Sequence, residues 1–116
     1  MARTSIPVTT VAFQGGTALS YTAADSTNGM MFTNTGDTIL VVKNASASPV
    51  NVTVQAVPDE AGRSVNYVQA VEAGAEAVIG PLRPKWWNQQ STDIGKVYVD
   101  FSTSASVSVT ALKLPF

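Results

Sequence analysis

The chain has 116 residues, 45% hydrophobic and 13% charged, with seven basic and eight acidic side chains for a net charge of −1. That length fits one domain with a modest core, and the charge balance leaves no basic footprint for nucleic acid or an anionic membrane. The absence of cysteine and histidine removes disulfides, thiolate chemistry, the usual general base and the commonest transition-metal ligand.

Val, Thr and Ser dominate, which favours strands and turns over helices. Residues 1–7 carry Pro7 and little pattern, so they read as a flexible N-terminal arm, and 8–116 as a single sandwich domain. Val8-Thr-Thr-Val-Ala-Phe13 is a weak first strand, ended by Gln14-Gly15-Gly16. Thr17–Thr22 places Leu19 and Tyr21 on one face, and residues 23–29 form a turn-rich loop. Met30-Met-Phe-Thr33 is a short strand closed by Asn34-Thr-Gly-Asp37. Thr38-Ile-Leu-Val-Val-Lys43 is a continuous apolar run, as expected of a strand buried on both faces.

After the turn at 44–49, Val50, Val52 and Val54 alternate with Asn51, Thr53 and Gln55, the pattern of a half-buried strand. Pro58-Asp-Glu-Ala-Gly62 is the most charged loop, and residues 65–71 make the next strand. Ala75–Gly80 leads into a Pro/Trp corner, Pro81-Leu-Arg-Pro-Lys-Trp-Trp-Asn88. Val97, Val99 and Phe101 share one face of the following strand. In the last strand Val107 and Val109 share a parity that Leu112 and Leu114 reverse, which predicts a bulge near Ala111 or an exit from the sheet. The expected fold is all-β: a single antiparallel β-sandwich, jelly-roll-like, of about eight strands.

Trp86-Trp87 is the most conspicuous pair. It suits an interface anchor, core filling at a corner, or a platform for stacking on sugars. Pro81, Arg83, Pro84 and Lys85 beside it suggest a rigid cationic corner. The acids Asp25, Asp37, Asp59, Glu60, Asp93 and Asp100 are scattered and read as solvated turn residues and caps rather than a glycosidase pair. No calcium-loop pattern, nucleophile elbow or phosphate loop is present, so no cofactor, metal or catalytic residue is assigned and no enzyme activity is expected. Asn44-Ala-Ser46 and Asn51-Val-Thr53 match the glycosylation triplet by chance, since Met1–Pro7 has no apolar stretch of signal-peptide length. No run approaches the roughly 18 apolar residues of a membrane span. Synthesis in a cytoplasm is the expectation. The C-terminal Leu112-Lys-Leu-Pro-Phe116 fits either an edge strand or insertion into a neighbouring subunit.

The strings Thr38–Val54, Ala73–Leu82, Trp86-Trp-Asn88, Gly95–Ser102 and Val109–Leu114 resemble small proteins of tailed-phage structural gene clusters. The likeness covers about residues 30–114 and is to capsid decoration (cement) proteins and related minor virion components. It implies a jelly-roll-like domain, often trimeric, on the outside of an assembled capsid, with the major capsid protein lattice as partner and no catalytic residues. The candidate contact elements are the arm (Arg3, Ile6, Val8), the corner (Arg83, Trp86, Trp87) and the tail (Leu114, Phe116). A carbohydrate-binding module using Trp86 and Trp87, and a tail or neck component, are the alternatives.

Overall fold

Alternation of apolar residues with period two carries the architecture. A computed structural model describes residues 3–11, 20–57, 66–82, 84–89, 93–103 and 105–114, and of Lys85 and Trp86 the backbone alone. These residues form strands β1 (Thr4–Ser5), β2 (Val8–Thr10), β3 (Thr22–Ala23), β4 (Met30–Thr33), β5 (Thr38–Asn44) and β6 (Val50–Val54). Then follow β7 (Tyr67–Val71), β8 (Glu76–Ile79), one helical turn α1 (Pro84–Trp87), β9 (Lys96–Phe101) and β10 (Val107–Lys113). The strands pair into two sheets, β1-β4-β9-β6-β7 and β2-β10-β5-β8, with β3 also on β10.

The core lies between the sheets. Met30, Phe32, Val50, Val52, Val54, Val97 and Val99 point in from the first sheet, and Leu40, Val42, Val107, Val109 and Ala111 from the second, each 2% exposed or less. Full burial of one such side chain is worth about 1.5–3 kcal/mol. The inward Val50, Val52 and Val54 of β6 and the inward Val97, Val99 and Phe101 of β9 match the sequence expectation.

The strand order has a simple logic. β6 pairs β7, β5 pairs β8, β4 pairs β9 and β3 pairs β10, all antiparallel. The eight strands β3–β10 are thus one long hairpin rolled into two layers, alternate rungs falling in alternate sheets. The sandwich of about eight expected strands is present in these elements. Two more come from the N-terminal segment. β1 runs parallel to β4 and β2 parallel to β10, so both sheets are mixed rather than purely antiparallel.

Three expectations change in detail. Arg3–Ile6 do not extend away as an arm: Thr4–Ser5 pair with Met30–Met31, and Ile6 is 3% exposed in the core. Pro7 has no N–H to give a ladder, and it stands where the chain steps from the first sheet to the second. β5 is buried on one face only. Leu40 and Val42 point inward, while Ile39 and Val41 are partly exposed on the outer face and Lys43 is exposed. In β10 no bulge occurs. Its register with β5 is unbroken from Val107↔Asn44 to Lys113↔Thr38. Ala111 continues the inward row of Val107 and Val109, and Leu112 stands opposite Ile39 on the outer face. The apparent flip arose from Ala111, a small core residue easily passed over beside two leucines.

Candidate interaction surface

Two buried amides fix the turns around the sheets. Asn34 Nδ2 donates to the Leu82 carbonyl (3.0 Å) and to Asn88 Oδ1 (2.8 Å), and Asn88 Nδ2 donates back to the Asn34 carbonyl (2.8 Å). This clasp ties the Pro/Trp corner to the β4–β5 turn. Asn44 Nδ2 reaches the carbonyls of Ser48 (2.8 Å) and Val71 (3.0 Å), while its Oδ1 accepts from the Ser46 N–H and hydroxyl. Asn44 is 1% exposed, so its amide serves the fold and is closed to a glycan. Asn51 is exposed on the outer face of β6.

One long edge of the sandwich is covered by the N-terminal segment. The Arg3 guanidinium lies 4.1 Å from the centre of the Tyr98 ring and bonds Asp100 Oδ1 at 2.7 Å. Gln55 Nε2 donates to the other oxygen of Asp100. Tyr98 in turn donates its hydroxyl to Asp93 Oδ2 (2.6 Å). That bond, with some desolvation, holds the phenol above its ordinary pKa of 10.0. Gly29 (φ 75°) sits beneath this cluster, where an added Cβ would lie 2.4 Å from Arg3 Nη1 and 2.6 Å from Asp100 Oδ1. The Thr4 hydroxyl donates to Asp25 Oδ2 (2.6 Å), and Asp25 Oδ1 accepts the backbone N–H groups of Thr27 and Asn28. These hydrogen bonds to the charged form, the one from Thr4 first, lower the Asp25 pKa below 3.8.

The opposite edge is finished differently. β7 and β8 end their respective sheets. Tyr67, Val68 and Val78 there are 41%, 55% and 61% exposed. A cleft of about 370 Å³ opens alongside, walled by Tyr67, Ile79, Pro81, Leu82 and Trp87. Trp87 is half-buried and packs against the core with one flank.

The candidate contact residues therefore do not form one patch. Arg3 is paired within its own chain, Ile6 is in the core, and Val8 is partly buried against it. The physical reason is that the segment carrying them completes both sheets. Trp87 lies beside the cleft at the other edge. Leu114 is partly exposed and donates its N–H to the Asp37 carbonyl (2.9 Å). Arg83, Phe116 and the Trp86 side chain lie outside the described residues, as do Leu19, Asp59 and Glu60. Sequence reasoning passed over Tyr67, Val68 and Val78. The available signal was apolar residues at both parities in Tyr67-Val68, one more than a half-buried strand requires.

Among the described residues no group of three or more His, Cys, Asp or Glu is placed to hold a metal ion, and no helix is long and apolar enough to cross a membrane. No protein-family model, curated protein or solved structure matches the chain.

Proposed function

We propose that this chain is a structural virion protein of the capsid-decoration (cement) kind, a non-enzymatic piece that binds the outer surface of an assembled phage capsid and stabilises it. The rolled hairpin of β3–β10 fits the jelly roll expected of such a protein. Its low charge content suits a surface that meets other subunits. Made in the host cytoplasm, the protein would join the shell as a homo-oligomer that presents several weak contacts to a repeating lattice. Avidity then converts small interfaces into firm attachment. Contacts that bridge neighbouring capsomers oppose their separation, so binding free energy becomes resistance to internal pressure.

The observation that carries this reading is the open β7–β8 edge, where exposed apolar side chains adjoin an aromatic-walled cleft. Soluble proteins keep such patches small unless a partner covers them. The test is co-sedimentation of the purified protein with assembled empty heads. Saturable binding at a fixed ratio to the major capsid protein, with a raised temperature of head disruption, is expected. Absence of binding to heads and to tail or neck assemblies removes the virion reading.

The same cleft favours a second reading, a carbohydrate-binding module, because Tyr67 and Trp87 both wall it. Aromatic faces stack on sugar rings, and Trp87 would report the event. A saturable, sugar-dependent change in Trp fluorescence, lost in Trp87→Ala, would support it.

A further inference from the structure

We propose that the free edge of β7 is a self-recognition site, at which two copies of this chain pair their β7 strands antiparallel across a two-fold axis. The inference uses the same open edge that carries the virion reading and names a second copy as what covers it there; it rests on backbone geometry. Gln55, the residue after β6, donates its N–H to the Tyr98 carbonyl of β9, and Asn51 of β6 accepts from the Ser102 N–H, both at 3.0 Å. The odd-numbered residues of β6 thus face β9, and Val50, Val52 and Val54 face β7. Their partners Val71, Gln69 and Tyr67 turn their backbone groups into the sheet. Val68 and Ala70 turn theirs toward the free edge. The Ala70 carbonyl takes a hydrogen bond from the Gln69 side chain (2.9 Å), which an incoming strand displaces.

A second copy is the occupant because this edge is complementary to itself. With the axis through Gln69, Val68 of one copy lies opposite Ala70 of the other, on both sides of the axis. Each such pair exchanges two backbone hydrogen bonds. No like charges meet, since Tyr67–Val71 contains no charged residue. The strand also lacks the usual protections of an edge: it has no Lys and no Pro, and its register with β6 from Val50↔Val71 to Val54↔Tyr67 has no bulge. Of the four large hydrophobic residues exposed among the described residues, three (Tyr67, Val68 and Val78) lie at this side of the sandwich. Strand pairing alone covers too little area for a lasting dimer. The whole side of a molecule measuring 39 × 36 × 24 Å has about the 800 Å² per partner that a standard interface takes. The cleft at Tyr67 and Trp87 supplies the remaining contact.

The experiment is sedimentation equilibrium on the full chain, with hydrogen exchange at the Val68 and Ala70 amides. The wild type is expected to be a dimer that dissociates on dilution, with both amides protected in the dimer. Val68→Lys places a charge on an exposed position of the edge, so folding is unaffected, and it should weaken dimerisation at least tenfold and expose both amides. Ile94→Lys, at a residue 73% exposed in a turn, is the control and leaves the dimer intact. A wild-type monomer at high micromolar concentration, a trimer, or a dimer that Val68→Lys leaves unchanged overturns the proposal. Failure here would leave the virion reading to its own test on assembled heads.

Discussion

The two long edges of this sandwich face the same problem and are finished in opposite ways. A sheet edge presents unpaired N–H and C=O groups that invite other strands. At one edge the N-terminal segment supplies the last strands and keeps them short: the two-residue β1 lies on β4, the three-residue β2 lies on β10, and Ile6 fills the gap between the layers. At the other edge β7 and β8 end their sheets with no further strand among the described residues, and the side chains beside them are among the most exposed apolar groups of those residues. The contrast separates two roles. Side chains at the covered edge stabilise the fold; side chains at the open edge are available for contact.

That division has measurable consequences, and the largest concerns Ile6. Ile6→Ala should cost about 2–5 kcal/mol, because a side chain 3% exposed leaves a cavity between two sheets that resist collapse. Val68→Ala, at 55% exposure, should stay within about 0.5 kcal/mol. Both are read from denaturant midpoints of the monomer at unchanged slope. Equal costs at the two positions would break the comparison. Asn44→Ala comes next. It strips one hydrogen bond from the buried Val71 carbonyl and one from the Ser48 carbonyl, which keeps the Ser46 hydroxyl as a donor, and losing the two bonds should cost about 1–3 kcal/mol. Arg3→Ala should cost less, about 0.2–1 kcal/mol, since its partner Asp100 is 39% exposed and water screens the pair. The loss should shrink further in high salt, which distinguishes the ion pair from the packing of Arg3 on Tyr98.

How far the sequence reached follows from the same contrast. Strands whose one face meets the core announce themselves by alternation, and β6 and β9 were legible for that reason. β5 was read as buried on both faces because its outer residues, Ile39 and Val41, are apolar too; composition alone cannot tell a half-covered β-branched row from a buried one. The N-terminal strands were hidden by their brevity. Two or three residues carry no period, and their pairing depends on β4 and β10, distant in the chain. Ile6 and Arg3 are expected from the sequence to contact a partner protein. Their contacts fall within their own chain, a distinction that only the three-dimensional arrangement supplies. The exposure of Val68 and Val78 is equally a property of sheet order, since the same residues in a central strand would be covered.

The smallest effect, and the sharpest probe of the covered edge, is its response to acid. Asp25 joins the N-terminal strand to the following turn, accepting hydrogen bonds from the Thr4 hydroxyl and from the backbone of Thr27 and Asn28. Its folded pKa lies below 3.8, with the Thr4 hydroxyl as the main cause. A carboxyl whose pKa is depressed by folding adds stability above its unfolded value and loses it as the pH falls through the folded one. Asp25→Asn should therefore be less stable than the wild type at pH 7, with a gap that closes as the pH drops below about 4. Thr4→Val should reproduce most of that narrowing, because it removes the principal donor while leaving the carboxyl in place. A gap that stays constant from pH 7 to the acid limit would mean that Asp25 acts through the shape of its turn rather than its charge. The N-terminal segment would then be held by Ile6 and strand pairing without help from this carboxylate.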